Sequence, residues 1–375
     1  MKVKNTGENM LTNLRKCKQI VSYFNVVGDV VSSFKYGNGH IHQTYVVTTM
    51  TNLTSKRYIL QRVNDFVFKN VEGLMENIAL VTSYNLKKVQ EEGGNVEKEC
   101  LRLVPTKDGK YFIKTDLGYY RMFYFIEGAT TYQVVEKPED FYESAVAFGK
   151  FQKRLDGFDA SKLFEVIPAF HNTRKRYNDL MTTIAQNKSG RADKVKDEIA
   201  FAKSHESICD TIVDMLAGGT IPTRVTHNDT KLNNVMIDDI TGKAAAVIDL
   251  DTLMPGSMLY DFGDSIRFGC NPCSEDEKDL TKVVFDINLF KVYAEGFLSV
   301  VKETITQKER EYLALSAILM TLECGMRFLA DYIDGDIYFH SSYAEQNLDR
   351  ARTQFKLVSD MENRIDEMND IISRI

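Results

Sequence analysis

The run Thr226-His227-Asn228-Asp229-Thr230-Lys231-Leu232-Asn233-Asn234 sets a histidine, an aspartate and an asparagine at the spacing H-x-D-x-x-x-x-N. That spacing suits transfer of a phosphoryl group to a hydroxyl. The Asp229 carboxylate would orient the acceptor hydroxyl. It would take the proton late, because a carboxylate is a weak base for an alcohol. Asn234 would offer a side-chain oxygen to Mg²⁺, a hard cation that prefers oxygen ligands. Lys231 would set a cation near the moving γ-phosphoryl group. His227 would hold backbone geometry without transferring a proton. Each residue alone is uninformative; the joint spacing gives the pattern its meaning.

The neighbouring segments suggest how these groups converge. Val235-Met236-Ile237 reads as a short strand, residues 238–243 as a turn, and Ala244-Ala245-Ala246-Val247-Ile248 as the returning strand. The open ends of such a hairpin share an edge, so Asn234 and Asp249 become neighbours, and Asp249 is the second expected metal ligand. Asp261-Phe262-Gly263 spells a triplet that holds metal in protein kinases. It follows Met254-Pro255-Gly256-Ser257, which reads as a break, so Asp261 is expected to brace the loop by hydrogen bonds instead. Upstream, Tyr36-Gly37-Asn38-Gly39-His40-Ile41 precedes a β-like run. Small residues there would let backbone N–H groups approach phosphates, and a plain hairpin turn reads equally well.

Positioning these residues calls for two textures of chain. Residues 46–47, 56–61, 110–113 and 121–126 are rich in β-branched and aromatic side chains, with a helical segment over 71–92 between them. Beyond Gly128 the pattern turns helical. Phe141, Ala145, Phe148, Phe151 and Leu155 recur as one buried helix face requires, and helical patterns fill 195–217, 284–303, 307–333 and 343–373. The expectation is an α+β, bilobal chain. Residues 1–127 form a β-rich nucleotide-binding lobe, and 128–375 form a larger helical lobe for catalysis and substrate.

Over 375 residues the formal net charge is −6, without the basic surplus that a nucleic-acid partner requires. No run approaches 18 uninterrupted apolar residues, so no membrane span is expected. The opening residues read as a mixed segment, and a cytoplasmic protein follows. The six scattered cysteines read as reduced thiols. Cys270-Asn271-Pro272-Cys273 lacks a second ligand pair for zinc and reads as a surface loop.

At the segments quoted, and at Ile248-Asp249-Leu250-Asp251-Thr252, Asp264-Ser265-Ile266-Arg267-Phe268 and Glu323-Cys324-Gly325-Met326-Arg327-Phe328, the chain resembles the aminoglycoside phosphotransferase and choline kinase family. The fold of that family is protein-kinase-like. Within it the likeness is to enzymes that phosphorylate N-acetylhexosamines, GlcNAc or GalNAc, at the anomeric oxygen. The resemblance implies ATP and Mg²⁺, with Asp229 as base and Asn234 and Asp249 on the metal. It implies that His40, Phe268, Arg327 and Tyr338 join Asp229 around the sugar. Gly37, Asn38, Gly39, Gln61, Arg62, Phe125 and Glu127 fall to the nucleotide. The implied protein is a monomer whose partners are a sugar and a nucleotide. One departure stands out: Tyr58-Ile59-Leu60-Gln61-Arg62 lacks the lysine of the wider kinase pattern, so Gln61 or Arg62 would have to serve. Glu72 and Glu76 read either as partners of Arg62 or as a solvated helix face. Two further readings stay open. One is a kinase of the same fold acting on an aminoglycoside, choline or homoserine. The other is a catalytically dead nucleotide-binding module.

Overall fold

Alternating side-chain character over the first third of the chain builds a five-stranded sheet. The computed structural model describes residues 6–37 and 41–375. Helix α1 (Thr6–Val21) leads into β1 (Asp29–Lys35), β2 (Gln43–Met50) and β3 (Ser55–Val63). Then come α2 (Val71–Glu91), the single turn α3 (Val96–Glu99), β4 (Phe112–Thr115) and β5 (Gly118–Tyr124). The strand order is β1-β2-β3-β5-β4, and all neighbours are antiparallel. Tyr58 and Leu60 of β3 and Tyr120 and Met122 of β5 pack with Cys17, Ile20 and Val21 of α1. With a period of two, Arg57, Ile59 and Gln61 turn to the other face, as do Arg121 and Phe123. Helix α2 starts where the Asn70 side chain accepts the Gly73 N–H at 2.9 Å. Leu74, Met75, Ile78 and Val81 form its buried stripe.

The chain divides into two compact units, Met1–Ala129 with Lys162–Val166, and Thr130–Ser161 with Ile167–Ile375. The two-residue strand β6 (Ala129–Thr130) lies at their junction. In the second unit α4 (Pro138–Leu155) begins with proline at its first turn, which suits the fixed φ of that residue. It buries Phe141, Ala145, Phe148 and Leu155. After α5 (Thr173–Gln186), α6 (Lys196–Ser204) and α7 (Thr211–Ala217) come four short strands. They are β7 (Arg224–Thr226), β8 (Val235–Asp238), β9 (Ala244–Val247) and β10 (Met254–Gly256). The chain closes with α8 (Met258–Gly269), α9 (Ile287–Val301), α10 (Gln307–Glu311), α11 (Leu313–Asp334), α12 (Gln346–Glu362) and α13 (Ile365–Arg374). Phe141 of α4 meets Tyr293 of α9 at 4.8 Å between ring centroids. A pair of this kind adds about 1 kcal/mol beyond the area it buries.

The mixed α+β architecture is the one the sequence implies, but several local readings change. The segment 254–256 is a strand and not a break: Met254, Pro255 and Gly256 pair with Thr226, Val225 and Arg224 of β7. Its proline is tolerated because this sheet has only two strands. Helix α5 buries only Thr173, Tyr177 and Leu180, a stripe too narrow to stand out in sequence. Cys270 is buried against the end of α8 and not on a surface loop, and all six cysteines are free thiols. Helix α11 is long and apolar enough to cross a bilayer by length and composition. However, 78% of its apolar window is buried inside the protein, which makes it a core helix.

Candidate active site

The loop between β7 and β8 is held by carboxylates from α8. Asp261 accepts the backbone N–H of His227 at 3.0 Å, that of Asn228 at 2.8 Å, and the Gln152 amide at 2.7 Å. Asp264, one turn further along the same helix face, accepts the Thr230 N–H at 3.0 Å. The Thr230 hydroxyl donates to the Asp261 carbonyl at 2.6 Å, and Ser265 donates to the Thr230 carbonyl at 2.7 Å. Burial pushes the Asp261 carboxyl above the usual carboxylate range, against the pull of His227 and the donated N–H groups. Burial acts on Asp264 in the same sense, but Arg267 and Lys231 outweigh it and hold that carboxyl below its ordinary value. Gly263 lies between these two aspartates where α8 crosses α11. A Cβ there would fall 2.4 Å from the Ser316 carbonyl oxygen, so only glycine fits. The D-F-G triplet thus sits in mid-helix, its aspartate bracing the loop, its phenylalanine in the core and its glycine at a helix crossing.

So supported, the loop presents Asp229 with a donor on each carboxylate oxygen. Lys231 Nζ lies 2.7 Å from Oδ1, and the Asn234 amide donates to Oδ2 at 3.1 Å and to the Asp229 carbonyl at 2.8 Å. Burial works against the Lys231 ammonium, but Asp229 and Asp264 more than offset it and raise the lysine above its ordinary range. His227 is fully buried against Phe148 and Phe151. Its Nε2 lies 2.9 Å from the Ile248 carbonyl, which can only accept, so Nε2 carries the proton. Its Nδ1 then accepts the Asp229 N–H at 3.3 Å. Both ring nitrogens are thereby committed to backbone.

The β8–β9 hairpin pairs Val235 with Val247, and the Ile248 N–H donates to the Asn234 carbonyl at 2.9 Å. Asp249 follows directly, in the left-handed region at φ 59°. Asn228 at φ 64° shares that conformation, which Asn and Asp tolerate better than most residues. With the Asn234 NH₂ turned to Asp229, its side-chain oxygen is the group left to a cation. An amide oxygen and a carboxylate suit Mg²⁺, which usually takes one or two protein ligands and completes its octahedron with phosphate and water. Among the described residues no cluster of three or more His, Cys, Asp or Glu is disposed around a metal position.

Behind the loop, His171 connects Asn228 to α11. Its Nδ1 lies 2.8 Å from Glu323 Oε1 and its Nε2 lies 3.3 Å from the Asn228 carbonyl. The ring thus bridges a carboxylate on α11 and the backbone of the loop. Thr173 adds a hydroxyl to Glu323 Oε2 at 2.9 Å. Burial opposes ionisation of Glu323, but His171, helped by Arg327 and Arg176, lowers its titration below the usual carboxylate range. One turn on, the Arg327 guanidinium lies 5.2 Å from the Phe170 ring centroid and 5.5 Å from that of Phe339. A further turn on, Asp331 accepts the N–H groups of Ile337, Tyr338 and Phe339 at 2.9, 2.7 and 2.9 Å and the Asn347 amide at 3.0 Å. That carboxylate shapes the loop carrying Tyr338, whose ring meets Phe339. Phe268 is half-buried, one residue past the Arg267–Asp264 ion pair.

In the sheet unit, the residues expected at a nucleotide fall into two groups. Gln61 and Phe125 lie on one side of the sheet. Phe125 packs against the Tyr36 ring at 5.9 Å and under the Arg57 guanidinium at 4.0 Å, and Arg57 pairs with Glu127. Arg62 does not join them: it shares the face of Leu60, and its Nε donates to the Leu117 carbonyl at 2.6 Å. Glu72 and Glu76 on α2 are exposed, as a solvated face requires. Gly37 has φ 75° and open space where a Cβ would stand. Asn38, Gly39 and His40 lie outside the described residues.

Sequence reasoning did not single out Gln152, His171, Asp264 and Glu323 as supports of this loop. Asp264 had a signal, since it stands three residues from Asp261 in a stretch that reads as helix. His171 had none: it is a lone histidine whose partner is 152 residues away.

Residues 35–279 match the sequence profile of the phosphotransferase enzyme family, which is more than half of the chain. Among solved structures, an aminoglycoside phosphotransferase from Alicyclobacillus acidocaldarius is 13% identical, with 100% of this chain and 98% of that chain covered at a TM-score of 0.59. A microcompartment-associated aminopropanol kinase is 14% identical, with 95% and 98% covered at 0.57. An ethanolamine kinase from Plasmodium vivax is 12% identical, with 94% and 96% covered at 0.53. At these identities the likeness is one of fold.

Proposed function

The chain belongs to the phosphotransferase enzyme family, and from that premise we propose that it moves the γ-phosphoryl group of ATP onto the anomeric hydroxyl of an N-acetylhexosamine, giving the sugar 1-phosphate. The observation that carries the reading is the Asp229 carboxylate, fixed by Lys231 on one oxygen and Asn234 on the other. A carboxylate so held can orient an incoming hydroxyl. The hydroxyl oxygen bonds to the γ-phosphorus as the bond to the β–γ bridging oxygen breaks. ADP leaves with that electron pair, and the hydroxyl proton passes to Asp229. The transition state is loose, so catalysis is mainly positioning and charge neutralisation. Lys231 offsets charge on the moving group. Mg²⁺ on Asn234 and Asp249 would neutralise phosphate oxygens. His227 acts only on geometry, because both its nitrogens are engaged.

The sheet unit would take the nucleotide through Gly37, Gln61, Phe125 and Glu127, and the helical unit would carry the chemistry and the sugar. Arg327, with Phe268 and Tyr338, is assigned to the sugar. Two features favour a neutral sugar over a cationic amino alcohol. Arg327 brings a positive charge that repels an ammonium group. Asp331, four residues further along α11, already accepts four N–H donors. The six free thiols suit the cytoplasm as the compartment.

The test is ATP consumption with Mg²⁺ against GlcNAc, GalNAc, choline, ethanolamine, homoserine and an aminoglycoside. Phosphorus NMR of the product then locates the phosphate. Turnover with GlcNAc or GalNAc and phosphate on the anomeric carbon is expected. Turnover with choline or an aminoglycoside alone would remove the sugar assignment and leave the kinase.

A further inference from the structure

Strand β3 carries Gln61 where a protein-kinase-type site carries a lysine for the nucleotide phosphates. A cation lies one strand away. Strand register sets Thr44 of β2, Gln61 of β3 and Arg121 of β5 side by side across the sheet. Arg121 Nε donates to Gln61 Oε1 at 2.9 Å, and Gln61 Nε2 donates to Thr44 Oγ1 at 3.1 Å. A guanidinium can only donate, so the orientation of the Gln61 amide is fixed by chemistry: its oxygen faces Arg121 and its NH₂ faces away.

We propose that Arg121, acting through the Gln61 amide, replaces that lysine, so that an N–H of Gln61 binds a phosphate oxygen of the nucleotide. This rests on the kinase reading above, and Arg121 is a positioning residue in it.

A primary amide has two N–H donors, and Gln61 spends one on Thr44. The second has no partner among the described residues, and Gln61 is only half-buried. Arg121 itself is 2% exposed. Water is therefore largely kept from its hydrogen bond to the Gln61 amide. Helix α2 turns the Met75 thioether toward the guanidinium, with Sδ 3.9 Å from Nη1. The row also begins beneath the β1–β2 hairpin, where the Tyr36 N–H donates to the Thr44 carbonyl at 2.9 Å and Gly37 faces open space. Of the arginines on β3, Arg62 is turned to the opposite face and engaged by Leu117, and Arg57, on the Gln61 face, is paired with Glu127.

The experiment is titration of the full chain with Mg²⁺–ATP and, separately, adenosine, together with KM for ATP and kcat. Gln61→Ala and Arg121→Met should each weaken ATP binding and raise its KM by about tenfold, the scale of one hydrogen bond to a charged group. Adenosine affinity should stay near wild type. The double variant Gln61→Ala with Arg121→Met should be no weaker than either single variant, because the two residues act as one unit. Gln61→Lys combined with Arg121→Met should recover ATP affinity. Additive losses, or equal loss of ATP and adenosine, would overturn the relay. Should Arg121→Met not fold, Gln61→Ala decides alone: unchanged ATP affinity in it sinks the proposal. A wild-type chain that binds neither ATP nor adenosine overturns the kinase reading and the relay with it.

Discussion

In the loop from 226 to 234, buried carboxylates reach into the chain and fix its backbone. In the row across β2, β3 and β5, strand pairing fixes the backbone and the side chains find one another. The loop has no ladder of its own through His227, Asn228 and Thr230, so Asp261 and Asp264 take the N–H groups a sheet would have satisfied. The sheet has its ladder, and a single buried cation orients an amide and a hydroxyl. The first design makes catalytic geometry and fold stability one property. The second lets them separate, because Gln61 can change without unpairing a backbone group.

Four changes would break or sharpen that contrast. Asp229→Asn touches only the reacting carboxylate. It should lower kcat by about 10³-fold with little change in unfolding midpoint or ATP affinity, measured by steady-state kinetics and titration. Asp261→Ala leaves two buried backbone N–H groups and Gln152 without their acceptor. It should destabilise by about 3 kcal/mol in denaturant unfolding, because each orphaned donor costs roughly 1–3 kcal/mol. Glu323→Gln keeps an acceptor for His171 but removes the charge, and about 1–2 kcal/mol and a several-fold loss of kcat are expected. The sign of its pH dependence follows from the lowered carboxyl of Glu323. That stabilisation is whole above the ordinary glutamate value of about 4.3 and fades as pH falls through the folded value. Melts of wild type and variant should therefore converge as pH falls below about 4.3. The smallest effect is expected in the sheet unit. Arg57→Ala removes an exposed pair with Glu127 and should cost less than about 1 kcal/mol. If Arg57→Ala unfolds the protein as readily as Asp261→Ala, the contrast between the two regions is wrong.

Much of this was legible in sequence where the contacts are local. Asp229 and Asn234 lie within one loop, so their spacing predicts the contact between them, and the hairpin spacing predicts the backbone bond between Ile248 and Asn234. The bracing role expected of Asp261 matches the two N–H groups it accepts. Long-range single contacts were not legible. Glu323 lies buried within the apolar run of its helix, and its histidine comes from a loop far upstream. Arg121 reads as the polar side of an alternating strand, and burial of that position appears only when α2 covers it. The strand at 254–256 was hidden by its proline and glycine, which normally signal a stop.

Glu323, Arg327 and Asp331 succeed one another by four residues along α11. They hold, in turn, the histidine behind the base, the cation between two rings and the loop bearing Tyr338. Inserting one residue between them would swing everything downstream by about 100° around the axis, and dropping one would do the reverse. Natural variants of this scaffold that change acceptor should therefore do so by exchanging side chains at fixed rungs, with the length of that rod left untouched.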